Sequence, residues 1–255
     1  SVISTREKRQ AIRKSTRKKR KAIRKSTREK RKATRKSTRK KEKKKMLTKK
    51  DFDEACKIVS EVTTETKLAH SEYLSEKTGN HVYLKPENLQ VTGAYKVRGA
   101  YYKISKLTEE ERQRGLITAS AGNHAQGVAF AAKKYGCKAT IVMPTTTPLI
   151  KVNRTKSYGA DVVLAGDVYD EAYEEANRLA KENGYTFIHP FDDLAVATGQ
   201  GTIAMEIFKD LPLVDVILVP IGGGGLATGV STLAKILNPK IKVIGVEPSG
   251  AACMK

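Results

Sequence analysis

Glu87-Asn88-Leu89-Gln90-Val91-Thr92-Gly93-Ala94-Tyr95-Lys96-Val97-Arg98-Gly99-Ala100 is the stretch from which the fold and the chemistry of the chain are read. It follows His81-Val82-Tyr83-Leu84-Lys85, whose alternation predicts a strand over 81–85. Thr92-Gly93 then turns the chain into a helical pattern running through Ser105, which places Lys96 near a helix N-terminus. The positive end of the helix dipole favours a neutral amine there, and burial acts in the same direction. A neutral amine is the form that attacks an aldehyde. A surface lysine on a helix is the other reading of such a position.

Two further stretches decide between these readings. Ser120-Ala121-Gly122-Asn123-His124-Ala125-Gln126-Gly127 follows the strand-like 116–119 and opens a helix. Gly222-Gly223-Gly224-Gly225-Leu226 follows the strand-like 216–219 and opens another. Without Cβ atoms the tetraglycine can turn its N–H groups onto one anion at the positive end of the next helix, so it reads as a phosphate cradle. Nucleotides use similar loops, and the loop alone does not name the ligand.

With the three stretches in this order, the chain from about Leu47 to Glu247 resembles the fold-type II pyridoxal-phosphate enzymes, specifically the threonine/serine dehydratases. The resemblance implies an α/β architecture of two parallel-sheet domains, the smaller inserted in the larger. Its boundaries fall at 46–109 and 196–255 for the large domain and 110–195 for the small one, with pyridoxal 5'-phosphate in the cleft between them. It implies that Lys96 holds the cofactor aldehyde and takes the substrate's Cα proton. Gly222, Gly223, Gly224, Gly225 and Leu226 match the family's phosphate loop, and Asn123 matches the residue that donates to the cofactor's phenolate oxygen. Ser120, Ala121, Gly122, Asn123 and His124 match the segment that holds the substrate carboxylate. Tyr95 stands where the family usually has Phe against the ring, and its extra hydroxyl needs a partner or water.

The implied reaction is β-elimination of L-threonine or L-serine to a 2-oxo acid and ammonia. The resemblance further implies a homo-oligomer and a setting in amino-acid metabolism such as isoleucine biosynthesis. Serine racemase is the alternative inside the family. Its second proton carrier is a serine at the position of Ala121, where a methyl group carries no proton. His189-Pro190-Phe191-Asp192-Asp193 and Gly199-Gln200-Gly201-Thr202 are also typical of the dehydratases, and read locally as a strand end, a turn and a helix start. Glu247 matches a family cation ligand, but Cys253 stands at the third ligand position and suits a hard cation poorly, so no metal is expected.

Strand-like runs at 81–85, 116–119, 138–142, 161–164, 186–188, 215–219 and 241–246 alternate with helical ones, among them 49–62, 125–135, 169–183 and 226–237. Such alternation itself predicts parallel sheets covered by helices. Cys56, Cys137 and Cys253 form no framework and suit a reducing, cytoplasmic compartment. No apolar run approaches the roughly 18–20 residues of a membrane span.

The charge is divided unevenly. Residues 1–45 hold 24 Lys and Arg against 3 Glu, a net of +21 out of the chain's +22, so residues 46–255 carry +1. Within the basic segment Ser-Thr-Arg recurs at 4–6, 15–17, 26–28 and 37–39, a period of eleven. Three readings stand side by side. The first is a solvated tail that binds polyanions such as nucleic acid, in the extreme a nucleic-acid-binding fusion to an inactive enzyme fragment. The second is an organelle presequence, against which its many lysines and thin apolar face count. The third is a translated tandem repeat upstream of a start at Met46. At the other end, the resemblance leads one to expect further large-domain strands after Lys255.

Overall fold

The computed structural model describes residues 46–254. The basic segment 1–45, with its repeat, lies outside the described residues. Helix α1 (Lys49–Val59) opens on a Thr48 capping box, in which Thr48 N–H donates to Asp51 at 2.8 Å, and it buries Phe52, Ala55 and Val59 along one face. It stops three residues short of the expected 62. The Thr63 hydroxyl donates to the Val59 carbonyl at 2.9 Å, and the β-branched run 62–64 disfavours another turn.

Strand β1 (Ala69–His70) pairs antiparallel with β2 (Tyr83–Leu84), and the short helix α2 (Glu72–Thr78) lies between them. The strand expected over 81–85 is thus two residues long, and Pro86 follows it one residue later, where a further ladder donor is missing. Helix α3 (Lys96–Ser105) and helix α4 (Glu109–Gln113) come next. After them the chain alternates. β3 (Leu116–Ala119), α5 (Asn123–Lys134), β4 (Ala139–Met143), α6 (Leu149–Ser157), β5 (Asp161–Leu164), α7 (Tyr169–Asn183) and β6 (Thr186–Phe187) build one four-stranded sheet in the order β5-β4-β3-β6. Every pairing in it is parallel, with Leu116 opposite both Ala139 and Thr186. All four residues of the central β3 are buried, as expected of a parallel strand covered on both faces.

Helix α8 (Leu194–Asp210) then leads to β7 (Val216–Pro220), α9 (Gly225–Leu237) and β8 (Lys242–Val246), and β7 pairs parallel with β8. The architecture is α/β with parallel sheets, as expected. Residues from Leu47 onward form one compact unit. One core packs α3 and α5 on β3 and β4 through Ile104, Leu116, Val128, Ile141 and Met143. Another packs Phe52, Ile203, Val230 and Leu233 beneath β7.

Where α3, α8 and α9 cross, glycines let the backbones touch. A Cβ on Gly199 would stand 2.7 Å from the Arg98 carbonyl oxygen, and one on Gly229 would stand 2.0 Å from that of Ala197. The Gly199-Gln200-Gly201 signature is therefore a packing device. It fixes the helix that begins at Lys96 against α8, and α8 against the helix that follows the tetraglycine.

Candidate active site

Helix α3 begins at Lys96 itself, where the alternation and the Thr92-Gly93 turn predict a position near a helix N-terminus. Gly93 has φ +74°, a conformation that a β-carbon disfavours, and its N–H donates to Gln90 O at 2.6 Å to close the turn. The turn is clamped from the other side of the helix. Arg98, 1 % exposed, donates to both oxygens of Glu87 at 2.8 Å each and to Glu206 of α8 at 2.6 and 3.0 Å. Lys85 joins Glu206 at 2.5 Å and the Thr66 carbonyl, while Gln90 bonds Glu87 and both polar groups of the Thr64 backbone. Two half-buried carboxylates therefore face two cations, and each charge is met by hydrogen bonds as well. Lys85, Glu87, Gln90 and Arg98 all fall within or beside the organising stretch, and this network is their shared task. Glu206, more than a hundred residues away, carries no sequence signal that would have joined it to them.

Lys96 points the opposite way, half-buried, and its Nζ donates to Pro190 O at 2.8 Å. Burial brings its amine down to about 8, so the neutral form becomes the major one above that pH rather than above 10.5. Its Nζ lies 5.5 Å from the centre of the half-buried Tyr95 ring, which packs toward the β7 core. Helix α5 passes close beside this first turn, since a Cβ on Gly127 would meet the Lys96 carbonyl at 3.1 Å.

The start of α5 holds the expected substrate segment. Ser120 Oγ accepts from Gly122 N at 3.3 Å, Ala121 is half-buried, and Gly122 is the N-cap. No side chain caps α5 and no acidic residue occupies its first turn. Its first N–H groups and positive dipole end are thus left for an anion. Asn123 is exposed, whereas His124 is buried with its Nε2 on the Ile188 carbonyl at 3.1 Å. Because that partner only accepts, Nε2 carries the proton and Nδ1 is left bare, without a hydrogen-bond partner. Burial, helped by the nearby Lys96 charge, pushes His124 down to about 3, so the ring is neutral.

The tetraglycine leaves β7 and enters α9. Gly222 and Gly223 are exposed, Gly224 is the N-cap of α9 at φ +88°, and Gly225 and the half-buried Leu226 begin the helix. No side chain caps α9 either. An added Cβ at Gly222 meets nothing within 4 Å, so space is open beside the loop. At Gly223 it would strike the Phe191 ring at 2.2 Å. Phe191 follows directly on Pro190, whose carbonyl holds Lys96. Residues 189–191 therefore join the lysine to the glycine loop, a role that the sequence reading of this signature did not include. Asp193, next along, N-caps α8 through Val196 N at 3.0 Å and pairs with Lys103 at 2.7 Å, a structural use for its carboxylate.

A depressed lysine, two uncapped helix N-termini and an open glycine loop suit a phosphorylated aldehyde, and the residues fit pyridoxal phosphate. They have the character of a site that would hold an aldehyde cofactor on a lysine. Residues 59–255 match the model of the family described as pyridoxal-phosphate dependent enzyme, and the chain belongs to that family. It is 54 % identical over 209 residues to the L-threonine ammonia-lyase of Thermotoga maritima, an alignment covering 82 % of this chain and 52 % of that protein. Its fold superposes with a TM-score of 0.78 on the processed form of threonine deaminase isoform 2 from Solanum lycopersicum, at 46 % identity, over 80 % of this chain and 57 % of that one. Maize serine racemase also superposes at 0.78, with 35 % identity, over 81 % of this chain and 63 % of that one. The chain thus spans about half the length of the curated relative it matches.

Proposed function

We propose that this chain is the cofactor- and substrate-handling part of a lyase that converts L-threonine, and L-serine, to a 2-oxo acid and ammonia. The observation that carries the reading is Lys96. Its amine is brought down to about 8 at a helix start and is held by the Pro190 carbonyl, in a chain where α5 and α9 both begin without a side-chain cap. The identity to the Thermotoga ammonia-lyase supports the substrate class. The backbone N–H groups of residues 222–226 would hold the cofactor phosphate, Tyr95 would flank the ring, and Asn123 would donate to its phenolate oxygen. When bound, pyridoxal phosphate supplies an electron sink for the pair left when the Cα–H bond breaks. Lys96 Nζ takes the Cα proton, because its neutral form has a free lone pair at pH values near 8. The segment 120–124 orients the substrate by its carboxylate at the positive end of α5. His124, the last residue of that segment, is neutral and tied to Ile188 and so adds no charge to it.

The racemase reading has structural neighbours to support it, yet Ala121 offers no group to protonate the second face of the carbanion. Elimination needs one proton carrier on Lys96's face and a proton for the departing hydroxyl. The division at residues 110 and 195 into an inserted small domain, a homo-oligomeric assembly, a cytoplasmic location and polyanion binding by residues 1–45 complete the proposal. Among the described residues no helix is long and apolar enough to cross a membrane. The test is 2-oxobutyrate and ammonia release from L-threonine by the enzyme with and without Lys96→Ala. Turnover that survives the substitution, or conversion of L-serine to D-serine as fast as its deamination, refutes the reading.

A further inference from the structure

The 189–192 turn contains an arrangement that the reaction outlined above does not use. His189 Nδ1 accepts two successive backbone N–H groups, from Phe191 at 3.3 Å and from Asp192 at 2.8 Å. One imidazole lone pair thus folds the turn back on itself. The turn it folds carries the two contacts that matter to the site. Pro190 offers its carbonyl to Lys96 Nζ at 2.8 Å, and Phe191 lays its ring on Gly223 and its backbone beside Gly225. The ring of His189 is itself seated among aromatic neighbours, 4.8 Å from Phe191, 6.1 Å from Tyr173 of α7 and 6.3 Å from Phe187 of β6, centre to centre. From these contacts we infer that His189 is a positioning residue. As a neutral imidazole it holds the turn that sets Lys96 against the glycine loop, and protonation at Nδ1 releases that turn.

The chemistry of the acceptor requires this. Nδ1 can take N–H donors only while its lone pair is free, and a proton on it turns an acceptor of two bonds into a donor facing two donors. The groups that act on the ring are Lys96 of α3, His124 of α5, Tyr173 of α7, and Asp192 and Asp193 of its own segment. Burial and the Lys96 charge keep the imidazole below its ordinary value, against the pull of the two aspartates. The sign follows. Burial makes the proton costly in the closed turn, and opening relieves that cost. Opening is therefore favoured as pH falls, until the closed form also takes the proton. A carboxamide at this position accepts an N–H without titrating, so His189→Asn keeps an acceptor and removes the pH dependence. His189→Leu removes both.

The inference rests on the proposed function for the meaning of the site, but its test does not need turnover. Amide exchange of Phe191 and Asp192 is followed by NMR on the cofactor-free chain between pH 7.5 and 5, corrected for intrinsic rates. The expected result is an opening constant that rises as the pH falls across this range in the parent. In His189→Asn it stays flat, while in His189→Leu it is high throughout. His124 is present in all three proteins, so its own titration does not distinguish them. Borohydride fixation of pyridoxal phosphate on Lys96, read by mass, should fall more steeply over this range in the parent than in the Asn variant, where only the shared titration of Lys96 lowers it, and should be weak in the Leu variant. A parent opening constant independent of pH, or an Asn variant that follows the parent's profile, overturns the inference. If the exchange pattern appears but borohydride fixes no cofactor on Lys96 at any pH, the role of His189 in the turn stands and the functional reading falls.

Discussion

Replacing Lys96 by Met should make the cofactor-free chain more stable at pH 7. The amine ordinarily titrates at 10.5, and burial brings it to about 8 in the folded chain. A gap of that size corresponds to roughly 3 kcal/mol by which the fold disfavours the charged amine, at about 1.4 kcal/mol per pH unit. At pH 7 the amine is charged in both states and the folded chain carries this cost in full. Methionine removes it while keeping a similar apolar stem, and loses the Nζ–Pro190 O hydrogen bond, worth about 1 kcal/mol. The net expectation is a gain of about 2 kcal/mol at pH 7. Between 8 and 10.5 the folded parent loses the proton while the unfolded chain still binds it, so the parent's stability rises relative to the variant. Above 10.5 the order reverses, and the parent keeps an advantage of about one hydrogen bond. Urea unfolding followed by far-UV circular dichroism at pH 7, 9 and 10.5 reads all three regimes, and differences between the two proteins cancel other titrations. A variant less stable than the parent at pH 7, with a gap that does not change with pH, would refute the reasoning.

Arg98→Ala leaves Glu87 and Glu206 half-buried against one remaining cation, Lys85, and should cost about 3–5 kcal/mol in the same urea assay. Gly229→Ala sets a methyl 2.0 Å from the Ala197 carbonyl oxygen, which the α8 backbone cannot yield, so a loss of at least about 3 kcal/mol is expected from the urea midpoint. Gly222→Ala meets open space and should change stability by less than about 0.5 kcal/mol, yet weaken pyridoxal-phosphate retention in equilibrium dialysis. Ala121→Ser should add D-serine formation from L-serine, measured by chiral chromatography, without abolishing 2-oxo acid release.

The order of strands and helices was open to reading because period-2 and period-3.6 patterns are local. The runs at 116–119 and 161–164 and the helix at 169–183 are found at the residues expected. That Lys96 lies near the start of α3 followed from a strand, a Gly turn and a helical pattern in sequence. The tetraglycine was legible because only glycine suits a loop whose N-cap stands at φ +88°. Local pattern failed where partners are distant. The strand at 81–85 shrank to the two residues that β1 pairs, and β1 gave no usable signal of its own. That Gln200 and its flanking glycines pack α8 against the start of α3 depends on backbones meeting across a hundred residues. Tertiary structure alone decided three further matters: Glu206 closes the Arg98 cluster, Pro190 aims the lysine, and Phe191 seats the glycine loop. Sequence alone determined which residues can do chemistry, because that depends on side-chain type and on the turn of chain carrying it. The folded structure decided which of them are neutral and where they point, because desolvation and hydrogen-bond partners are set by segments far apart in the chain.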